Sequence, residues 1–508
     1  MGFEQAASSH CVGQHAVIIG ASMAGLLSAR VLSEHFARVT LIERDRLEGM
    51  HARKGVPQGR QTHALLRKGA DVVEELFPDL FPALLERGAT EFDTADDVPW
   101  YHFGVWRIQF PSGIRGYSLS RPWLEGEIRQ RVAERANVHV MDGYEVTRLT
   151  PSHSLGRIRG VLVRAAEGER REEELAADLV VDASGRGSQA PHWLKALGYG
   201  PVEETLVKVD VGYATRTFRR PTQFPADGKL MIIYNTPPQE KRIGVAFPIE
   251  GERWIVSVSG LLKDYPPSVE AEFLAYVRSL PHPALYELIK DAEPLSPVAT
   301  MRFPANRRRH YERLSRRPEG FVVVGDALCS FNPIYGQGMT VAAIEAETLK
   351  TCLQQRLRRG GDMAGFAHQF QKAIAKTVST AWMFTTSEDW RYPETGGKRP
   401  FGTGFFQWYI RRLLQGAATD ARLALSFYQV MHMLKPPTIL FAPRVLAGVL
   451  FRKAPLRDEQ VAWPAKPASV AERAEMRELV GAAHGQQRAS SRPVRLAREH
   501  HLVKERAQ

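Results

Sequence analysis

The first residues whose types and spacing could do chemistry lie in a turn, "GASMAG" (residues 20–25), between an apolar strand-like run and a helix-like run. Gly20 and Gly25 stand where a dinucleotide-binding turn needs glycine, and Ser22 takes the place of the usual middle glycine. Glu43 closes the next apolar run, at about the 20-residue distance from which an acid reaches ribose hydroxyls. The N-terminus of the helix would add backbone N–H groups for a pyrophosphate. The pattern favours nucleotide binding over a purely structural turn.

Two more turns of this kind follow buried strand-like runs later in the chain. In "ADLVVDASGRGS", Asp182 ends the strand, and capping of its own turn explains this residue as well as ligand binding does. In "GDALCSFNPIYGQGM", Asp326 precedes the closely spaced Pro333, Gly336 and Gly338, and a helix-like run follows. Because a helix N-terminus has free backbone N–H groups, this third turn suits another polar or anionic part of the same ligand.

The elements that must position these turns read as alternating strands and helices. A strand over 15–19, a helix over 23–36 and a strand over 38–43 predict a βαβ unit at the start of a buried parallel sheet. Ser120 is placed to cap another helix, and "LVVD" (179–182) is another buried strand. The three turns therefore belong to one nucleotide-type domain whose pieces are far apart in the sequence.

Other segments carry the pattern of a second sheet. Polar–aromatic alternation in 90–117 and strand-like alternation after residue 190 predict antiparallel strands inserted between the pieces of the first domain, and helices dominate beyond about residue 340. We predict a discontinuous nucleotide-binding domain over 1–90, 118–190 and 318–355, a substrate-binding domain over 91–117 and 191–317, a C-terminal helical region over 356–465 and a disordered tail over 466–508.

The composition excludes several classes of protein. The chain has 508 residues, of which 44% are hydrophobic and 24% charged, as in ordinary globular proteins. Its net charge of +12 is spread along the sequence, which favours an enzyme with an arginine-rich surface over a nucleic-acid-binding protein. Three cysteines without a C-x-x-C pair predict neither a disulfide framework nor a zinc site, and no metal site is expected.

The same composition predicts a cytoplasmic protein. The N-terminus lacks the pattern of a signal peptide, and no apolar run is long enough to span a membrane. The apolar segment "PPTILFAPRVLAGVLF" (436–451) leaves a peripheral membrane contact open, although a buried C-terminal helix is the favoured interpretation. The oligomeric state is not indicated by the sequence.

The three turns, in this order, resemble those of the group A flavoprotein monooxygenases, which have the aromatic hydroxylase fold. The loop "RKGVPQGRQTHALL" (53–66) looks like the branch that contains the bacterial polyether epoxidases, with squalene epoxidases as more distant relatives. The resemblance implies an α/β fold in which a Rossmann-like FAD-binding domain of the GR2 type is interleaved with a mixed or antiparallel β-sheet substrate domain, followed by C-terminal helices.

The resemblance also implies roles for individual residues. Glu43 would hold the adenosine ribose, Arg121 would reach the FAD diphosphate, Asp326 would bind the ribityl chain, and the backbone of 336–339 would lie near the isoalloxazine. The full expected cofactor-binding set is Gly20, Ser22, Met23, Ala24, Gly25, Glu43, Arg44, Gln58, Arg121, Asp182, Gly325, Asp326, Pro333, Gly336, Gln337, Gly338 and Met339. The halogenase W-x-W-x-I-P signature is absent from the sequence, which argues against chlorination.

The activity that the resemblance implies is FAD-dependent monooxygenation. Such an enzyme uses O2 and a flavin hydroperoxide to epoxidise or hydroxylate, here a lipophilic unsaturated natural product of the polyketide or isoprenoid type in secondary metabolism. The flavin carries the chemistry, so no catalytic side chain is expected. NAD(P)H or a separate flavin reductase would supply electrons. An aromatic or quinone-type ring hydroxylase, a prenyl reductase or dehydrogenase that does not use O2, and a basic binding protein remain as alternatives.

Aromatic residues of the inserted segments are the candidates for the substrate wall. Each could equally be ordinary sheet core. They are Trp100, Tyr101, Phe103, Tyr213, Tyr234 and Phe247.

Overall fold

The computed structural model describes residues 11–152, 156–168, 171–220, 229–451 and 474–476. Its strands, in chain order, are β1 (Gly13–Ile19), β2 (Phe36–Glu43), β3 (Thr90–Asp93), β4 (Trp100–His102), β5 (Val105–Trp106), β6 (Arg115–Ser118), β7 (Val138–Asp142), β8 (Tyr144–Pro151), β9 (Ile158–Ala165), β10 (Glu173–Ala176), β11 (Leu179–Asp182), β12 (Glu204–Arg219), β13 (Met231–Ile233), β14 (Arg242–Ile249), β15 (Arg253–Gly260), β16 (Ala299–Arg309), β17 (Phe321–Val323) and β18 (Cys329–Ser330). Its helices are α1 (Met23–Leu32), α2 (Arg67–Leu76), α3 (Leu80–Glu86), α4 (Arg121–Ala133), α5 (Ala190–Ala196), α6 (Glu270–Arg278), α7 (Ala284–Ile289), α8 (Gly338–Arg358), α9 (Phe366–Asp389), α10 (Thr403–Gly416), α11 (Ala421–Met431) and α12 (Pro443–Phe451).

A five-stranded parallel sheet forms the first domain, in the order β17-β11-β1-β2-β7. Its central strand β1 is apolar on both faces, and Ala16, Val17 and Ile18 are fully buried, because helix α1 and the strands β8 and β9 pack against this sheet. Ile19 lies opposite both Ile42 and Asp182, so β1, β2 and β11 end at the same edge. This register brings the three glycine-bearing turns together.

The first helix of the βαβ unit ends earlier than the sequence predicts. The expected helix over 23–36 ends at Leu32, and Phe36 is instead the first residue of β2, paired with Gly13 and buried. The chain turns through Ser33 without a glycine or proline, so the sequence carries no stop signal there. The predicted cap of α4 is confirmed, since the Ser120 hydroxyl accepts a hydrogen bond from the Trp123 N–H at 3.4 Å.

An eight-stranded sheet in the order β18-β16-β12-β15-β14-β13-β4-β5 forms the second domain. All adjacent strands in this sheet pair antiparallel, except β13 and β4, which pair parallel. The predicted antiparallel character of the inserted segments is therefore confirmed. The segment 90–117 divides between sheets, since β4 and β5 join the large sheet while β3 and β6 form a two-stranded sheet of their own. Strands β8, β9 and β10 form a third, antiparallel sheet.

Helices α8 to α12 complete the molecule. Helix α8 packs on α1 and α2, and α10, α11 and α12 enclose a separate apolar cluster that includes Tyr409 and Leu413. The predicted tail over 466–508 lies outside the described residues except for 474–476. Among the described helices, none combines the length and the apolar character that crossing a bilayer requires.

Candidate functional site

A cleft opens at the carboxyl-terminal edge of the parallel sheet, where β1, β2, β11 and β17 end. Its volume is about 510 Å³, within the range of small-molecule and cofactor sites. The predicted residues that line it are Gly20, Ser22, Met23, Ala24, Glu43, Arg44, Gln58, Arg121, Gly325, Asp326, Pro333, Gly336, Gly338 and Met339. Residues from three distant parts of the chain therefore meet in one site.

The first glycine turn is shaped so that only glycine fits at its two ends. Gly20 has φ +101°, and a Cβ there would lie 2.6 Å from the Ala183 carbonyl oxygen. A Cβ at Gly25 would lie 1.8 Å from the Gly20 carbonyl oxygen, which is far inside van der Waals contact. Gly25 therefore acts by letting α1 approach β1 closely, and its position is behind the cleft wall.

The N-terminus of α1 is open toward the cleft. Ser22 precedes the helix, but its hydroxyl does not cap the first-turn amides. It donates instead to Glu125 Oε2 at 2.9 Å and accepts from Arg121 Nη2 at 2.8 Å. Because the amides of the first turn have no side-chain cap and no acidic neighbour in that turn, they remain available to an anion.

Glu43 stands at the end of β2 and is held by its neighbours. Its Oε2 accepts from the Ala21 N–H at 2.9 Å and pairs with Arg53 Nη1 at 3.0 Å. Arg53 also pairs with Glu125, and although burial opposes its charge, Glu125 and Glu43 raise the pKa of Arg53. Glu43 is therefore oriented before any ligand binds.

Arg121 and His63 form another part of the cleft wall. Arg121 Nη1 donates to His63 Nε2 at 2.9 Å, and the other ring nitrogen of His63 lies 2.9 Å from the Gln61 carbonyl oxygen. This arrangement assigns the proton to Nδ1 of a neutral ring. Burial and the Arg121 charge lower the pKa of His63 to about 3. His63 thus positions Arg121 and is not charged at neutral pH.

Asp326 lines the same cleft and lies in the turn that follows β17. The pKa of its carboxyl is raised, because the effect of burial outweighs the positive charges of Arg186 and Arg121, which lower it. Arg186 also lines the cleft. It lies in the turn that follows Asp182. The sequence analysis identified this turn as a candidate site but did not predict a role for the Arg186 side chain.

The loop that follows Asp326 is fixed by a buried polar network. Asn332 is fully buried, and its amide oxygen accepts from the Tyr213 hydroxyl at 2.7 Å. Its amide nitrogen donates to the Asp389 carboxylate at 2.9 Å, which also accepts from Asn306 at 2.6 Å and from the Tyr335 hydroxyl at 2.9 Å. Burial raises the pKa of Asp389 to about 7. The network joins the loop to β12, β16 and the end of α9, so the loop is rigid where it meets the cleft.

Besides Gly25, two of the predicted cofactor-binding residues do not line the cleft, namely Asp182 and Gln337. The Asp182 carboxylate is fully buried and accepts from the Ser184 N–H at 2.9 Å and from the hydroxyls of Ser184 and Ser188 at 2.5 Å each, so it closes its own turn. The Gln337 side chain lines a separate inner cavity, while Gly338 next to it faces the cleft. Successive residues at the start of a helix point in different directions, so the spacing of the motif does not predict which of them faces the cleft.

A second cavity of about 160 Å³ adjoins the cleft on the side of the large sheet. The two share wall residues, among them Gln58, His63, Pro333 and Gly336. Its lining is mainly aliphatic and aromatic side chains of β4, β13, β14 and β15. The expected wall residues that line it are Trp100, Tyr213, Tyr234 and Phe247.

Tyr101 and Phe103 are corrections to the expected substrate wall. In strand β4, neighbouring side chains point to opposite faces, so Trp100 faces the cavity while Tyr101 packs in the core on the other side of the sheet. Phe103 lies in the turn after β4, where it stacks on His102 with ring centroids 4.0 Å apart and joins the apolar cluster of α10 to α12.

The comparisons with known proteins identify one curated relative. Over 435 residues the chain is 34% identical to Protein Rv3254 of Mycobacterium tuberculosis, and the match covers 83% of this chain and 90% of the relative. No protein-family profile matches the chain.

Solved structures of flavin-dependent enzymes have the same fold at low sequence identity. The flavin-dependent brominase Bmp2 has a TM-score of 0.58 and 14% identity, over 93% of this chain and 100% of that chain. The flavin-dependent halogenase CmlS has a TM-score of 0.59 and 15% identity, over 83% of this chain and 77% of that chain. PqsL, a probable FAD-dependent monooxygenase from Pseudomonas aeruginosa, has a TM-score of 0.54 and 18% identity, over 75% of this chain and 98% of that chain. These likenesses confirm the predicted fold class.

Proposed function

The chain belongs to the same family as Protein Rv3254 of Mycobacterium tuberculosis, and we propose that it is an FAD-dependent monooxygenase. The observation that carries the proposal is the junction of two sites: a long polar cleft with two open helix N-termini, and an apolar cavity that shares a wall with it. A cofactor that is anionic in the middle and flat at one end would reach from the first site to the entrance of the second.

The residues of the cleft fit FAD by their chemistry. The uncapped N-terminus of α1 suits a diphosphate, with Arg121 beside it. Glu43 can accept from ribose hydroxyls, and Asp326 can accept from a ribityl chain. The N-terminus of α8 also has no side-chain cap, and a Cβ at Gly338 would meet no atom within 4 Å, so the backbone there is open to a ring system.

Bound FAD would supply the electron transfer and the activation of oxygen. The chain itself contributes orientation and the exclusion of water. The network of Asn332 and Asp389 fixes the loop beside the cleft, and Tyr234 strengthens it by donating from its hydroxyl to the Ile334 carbonyl at 2.6 Å. His63, at the boundary of the two cavities, is neutral and has both nitrogens engaged, so it holds Arg121 and does not relay protons.

The substrate we propose is a lipophilic unsaturated natural product of the polyketide or isoprenoid type, which the enzyme epoxidises or hydroxylates. The mainly apolar wall of the second cavity supports this class of ligand. The electron donor we propose is NAD(P)H or a separate flavin reductase. An aromatic or quinone-type ring hydroxylase, and a prenyl reductase or dehydrogenase that does not use O2, are the alternatives that the experiment below separates.

Product analysis with labelled oxygen tests this proposal. Purified protein is incubated with FAD, a reductant and 18O2, together with a panel of polyenes, quinones and phenols, and the products are analysed by mass spectrometry. A monooxygenase adds one labelled oxygen atom to one member of the panel. Asp326→Asn, which changes one predicted flavin contact, should lower the yield of labelled product at limiting FAD. Reduced or desaturated products without label would instead identify a reductase or dehydrogenase.

We also propose that the C-terminal helices make a peripheral membrane contact. Phe405, Trp408 and Phe451 are exposed by 64%, 46% and 84%, and the rings of Phe405 and Trp408 lie 5.7 Å apart. Arg411 and Arg444 are exposed on the same helices and would meet anionic headgroups. A surface of this kind would let the enzyme collect a lipophilic substrate from a bilayer.

A further inference from the structure

A third cavity lies behind the apolar cavity, and its wall contains a buried arginine without an ionic partner. Its volume is about 110 Å³, and it adjoins the apolar cavity, with which it shares the lining residues Trp100, Tyr234, Tyr335 and Met431. The arginine is Arg107, which is only 2% exposed. We call this cavity the Arg107 chamber.

The guanidinium of Arg107 is held among aromatic rings. It lies 3.7 Å from the ring centroid of Trp100, 4.9 Å from that of Phe427 and 5.5 Å from that of Tyr428. Its Nη2 lies 3.3 Å from Nδ1 of His102. Such stacking holds a cation in place but compensates for only part of its lost hydration.

Part of the charge of Arg107 is left uncompensated. Its Nε and Nη1 are buried and have no hydrogen-bond partner among the described residues, whose ion pairs do not include Arg107. The nearest acid of the chamber, Glu388, is engaged by both Nε and Nη2 of Arg391 at 2.7 and 2.9 Å. Burial lowers the pKa of Arg107, and the neighbouring Tyr428 offsets only part of that effect.

Two further polar groups of the chamber are also without partners. Gln337 Oε1 and Thr385 Oγ1 are buried, line the chamber and have no hydrogen-bond partner among the described residues. The remaining lining is mostly apolar, with Ile243, Phe384 and Leu414 among its members. Unsatisfied polar groups buried in an apolar cavity are costly unless a ligand or water completes them.

We propose that the Arg107 chamber binds a carboxylate that is carried on an apolar body. The free Nη1 of Arg107 can donate to a carboxylate oxygen, and the hydroxyl of Thr385, which lines the same chamber, is a further donor. The volume holds a carboxylate and a few methylene groups, comparable to engineered cavities that bind benzene at ~150 Å³. The carboxylate comes either from the end of the substrate, which would then run from the flavin cleft through the apolar cavity, or from a separate small acid. The first source rests on the proposed function, whereas binding of the acid itself does not.

Binding of matched ligands to the full-length chain tests the proposal. Decanoate and decanamide, which differ in charge but hardly in shape, are titrated into the protein by calorimetry. We expect decanoate to bind roughly 10- to 100-fold more tightly, because hydrogen bonds to a charged group are lost with the amide. Arg107→Met should abolish this preference, and Arg107→Lys should keep part of it. Arg219→Met, which removes an exposed arginine paired with Glu293, is the control and should leave the preference unchanged.

Other results distinguish the source of the carboxylate or overturn the proposal. Butanoate that competes with decanoate and binds nearly as well indicates a separate small acid, whereas much weaker binding of butanoate indicates the end of a long substrate. Equal binding of decanoate and decanamide to the parent chain overturns the proposal, even if Arg107→Met does not fold. A preference that survives Arg107→Met also overturns it. Since no flavin or turnover is needed, these outcomes are independent of the oxygen-labelling experiment.

Discussion

Replacing Glu345 by glutamine should remove a pH-dependent loss of stability beneath the flavin cleft. Glu345 is 1% exposed on α8, and its Oε2 accepts from the Gly325 N–H at 2.6 Å. Burial raises its pKa from the ordinary value of 4.5 to about 8, and the nearby Asp326 adds to the effect. At neutral pH the folded chain therefore keeps a proton on Glu345 that the unfolded chain has lost.

The sign and size of the effect follow from proton linkage. Between pH 4.5 and about 8 the folded state binds the extra proton, so the free energy of unfolding falls by up to about 1.4 kcal/mol for each pH unit that is raised. Glu345→Gln has the shape of the neutral acid and lacks this slope. Relative to the parent, the variant should gain about 2 kcal/mol between pH 6 and pH 8 and no more above pH 8.

Thermal unfolding at several pH values, with equal FAD in every sample, measures this gain. With an unfolding entropy of ~2.1 cal/mol/K per residue, a gain of about 2 kcal/mol corresponds to about 2 °C. The melting temperature of the variant minus that of the parent should therefore rise by about 2 °C from pH 6 to pH 8. Glu347 lies on the same helix as Glu345 and forms a half-exposed ion pair with Lys68 of α2. Glu347→Gln makes the same chemical change there and controls for the loss of helix charge. A difference that stays constant from pH 6 to pH 8 would show that Glu345 is ionised in the folded chain, and the reasoning would be refuted.

Three other substitutions test separate parts of the structure. Gly25→Ala places a methyl group 1.8 Å from the Gly20 carbonyl oxygen, so we expect a lower melting temperature and loss of flavin binding. Gly404→Ala, at an exposed position of α10 where the nearest atom is 3.7 Å away, should keep both. Tyr213→Phe leaves a buried acceptor on Asn332 and should lower the unfolding free energy by about 1–3 kcal/mol in denaturant titrations; an unchanged midpoint would contradict the role of the network. Combined serine substitutions of Phe405 and Trp408 should reduce co-sedimentation with anionic phosphatidylserine vesicles at least severalfold, and equal sedimentation would rule out the proposed membrane contact.

The parallel-sheet elements were predictable from sequence because each leaves a local signal. An apolar run, a glycine turn and a helix follow one another at 13–32, and β11 was predicted with its observed boundaries at Leu179–Asp182. The cap at Ser120 is a signal of the same kind. Local patterns also suffice to say that the three turns share one domain, because parallel strands place their carboxyl ends at a common edge.

The side-chain partners were not predictable in the same way, because they join distant segments. Asp389 bonds Asn332 and Asn306, and Arg53 joins Glu43 to Glu125, although nothing near these residues in sequence indicates the pairing. These buried charges depend on the three-dimensional arrangement of elements that are individually ordinary.

The aromatic wall shows a different limit. Strand alternation alone separates Trp100 from Tyr101, so the sequence contained the information that only one of them faces the cavity. It did not contain the information about which face that would be, because both faces of β4 are buried. Arg107, which directly follows β5, also carries no sequence signal, because its aromatic neighbours and its lack of hydrogen-bond partners for Nε and Nη1 are evident only in the structure.

The central claim, that the cleft holds FAD, is tested most directly by titrating FAD into the purified full-length chain while flavin fluorescence is followed. We predict saturable binding of one FAD per chain, weakened about tenfold or more in Asp326→Asn and in Glu43→Gln, since each replaces a carboxyl oxygen that lines the cleft by an amide nitrogen that cannot accept a hydrogen bond. Saturable binding that neither substitution alters would place the flavin elsewhere. A chain that binds no FAD and remains colourless would contradict the account.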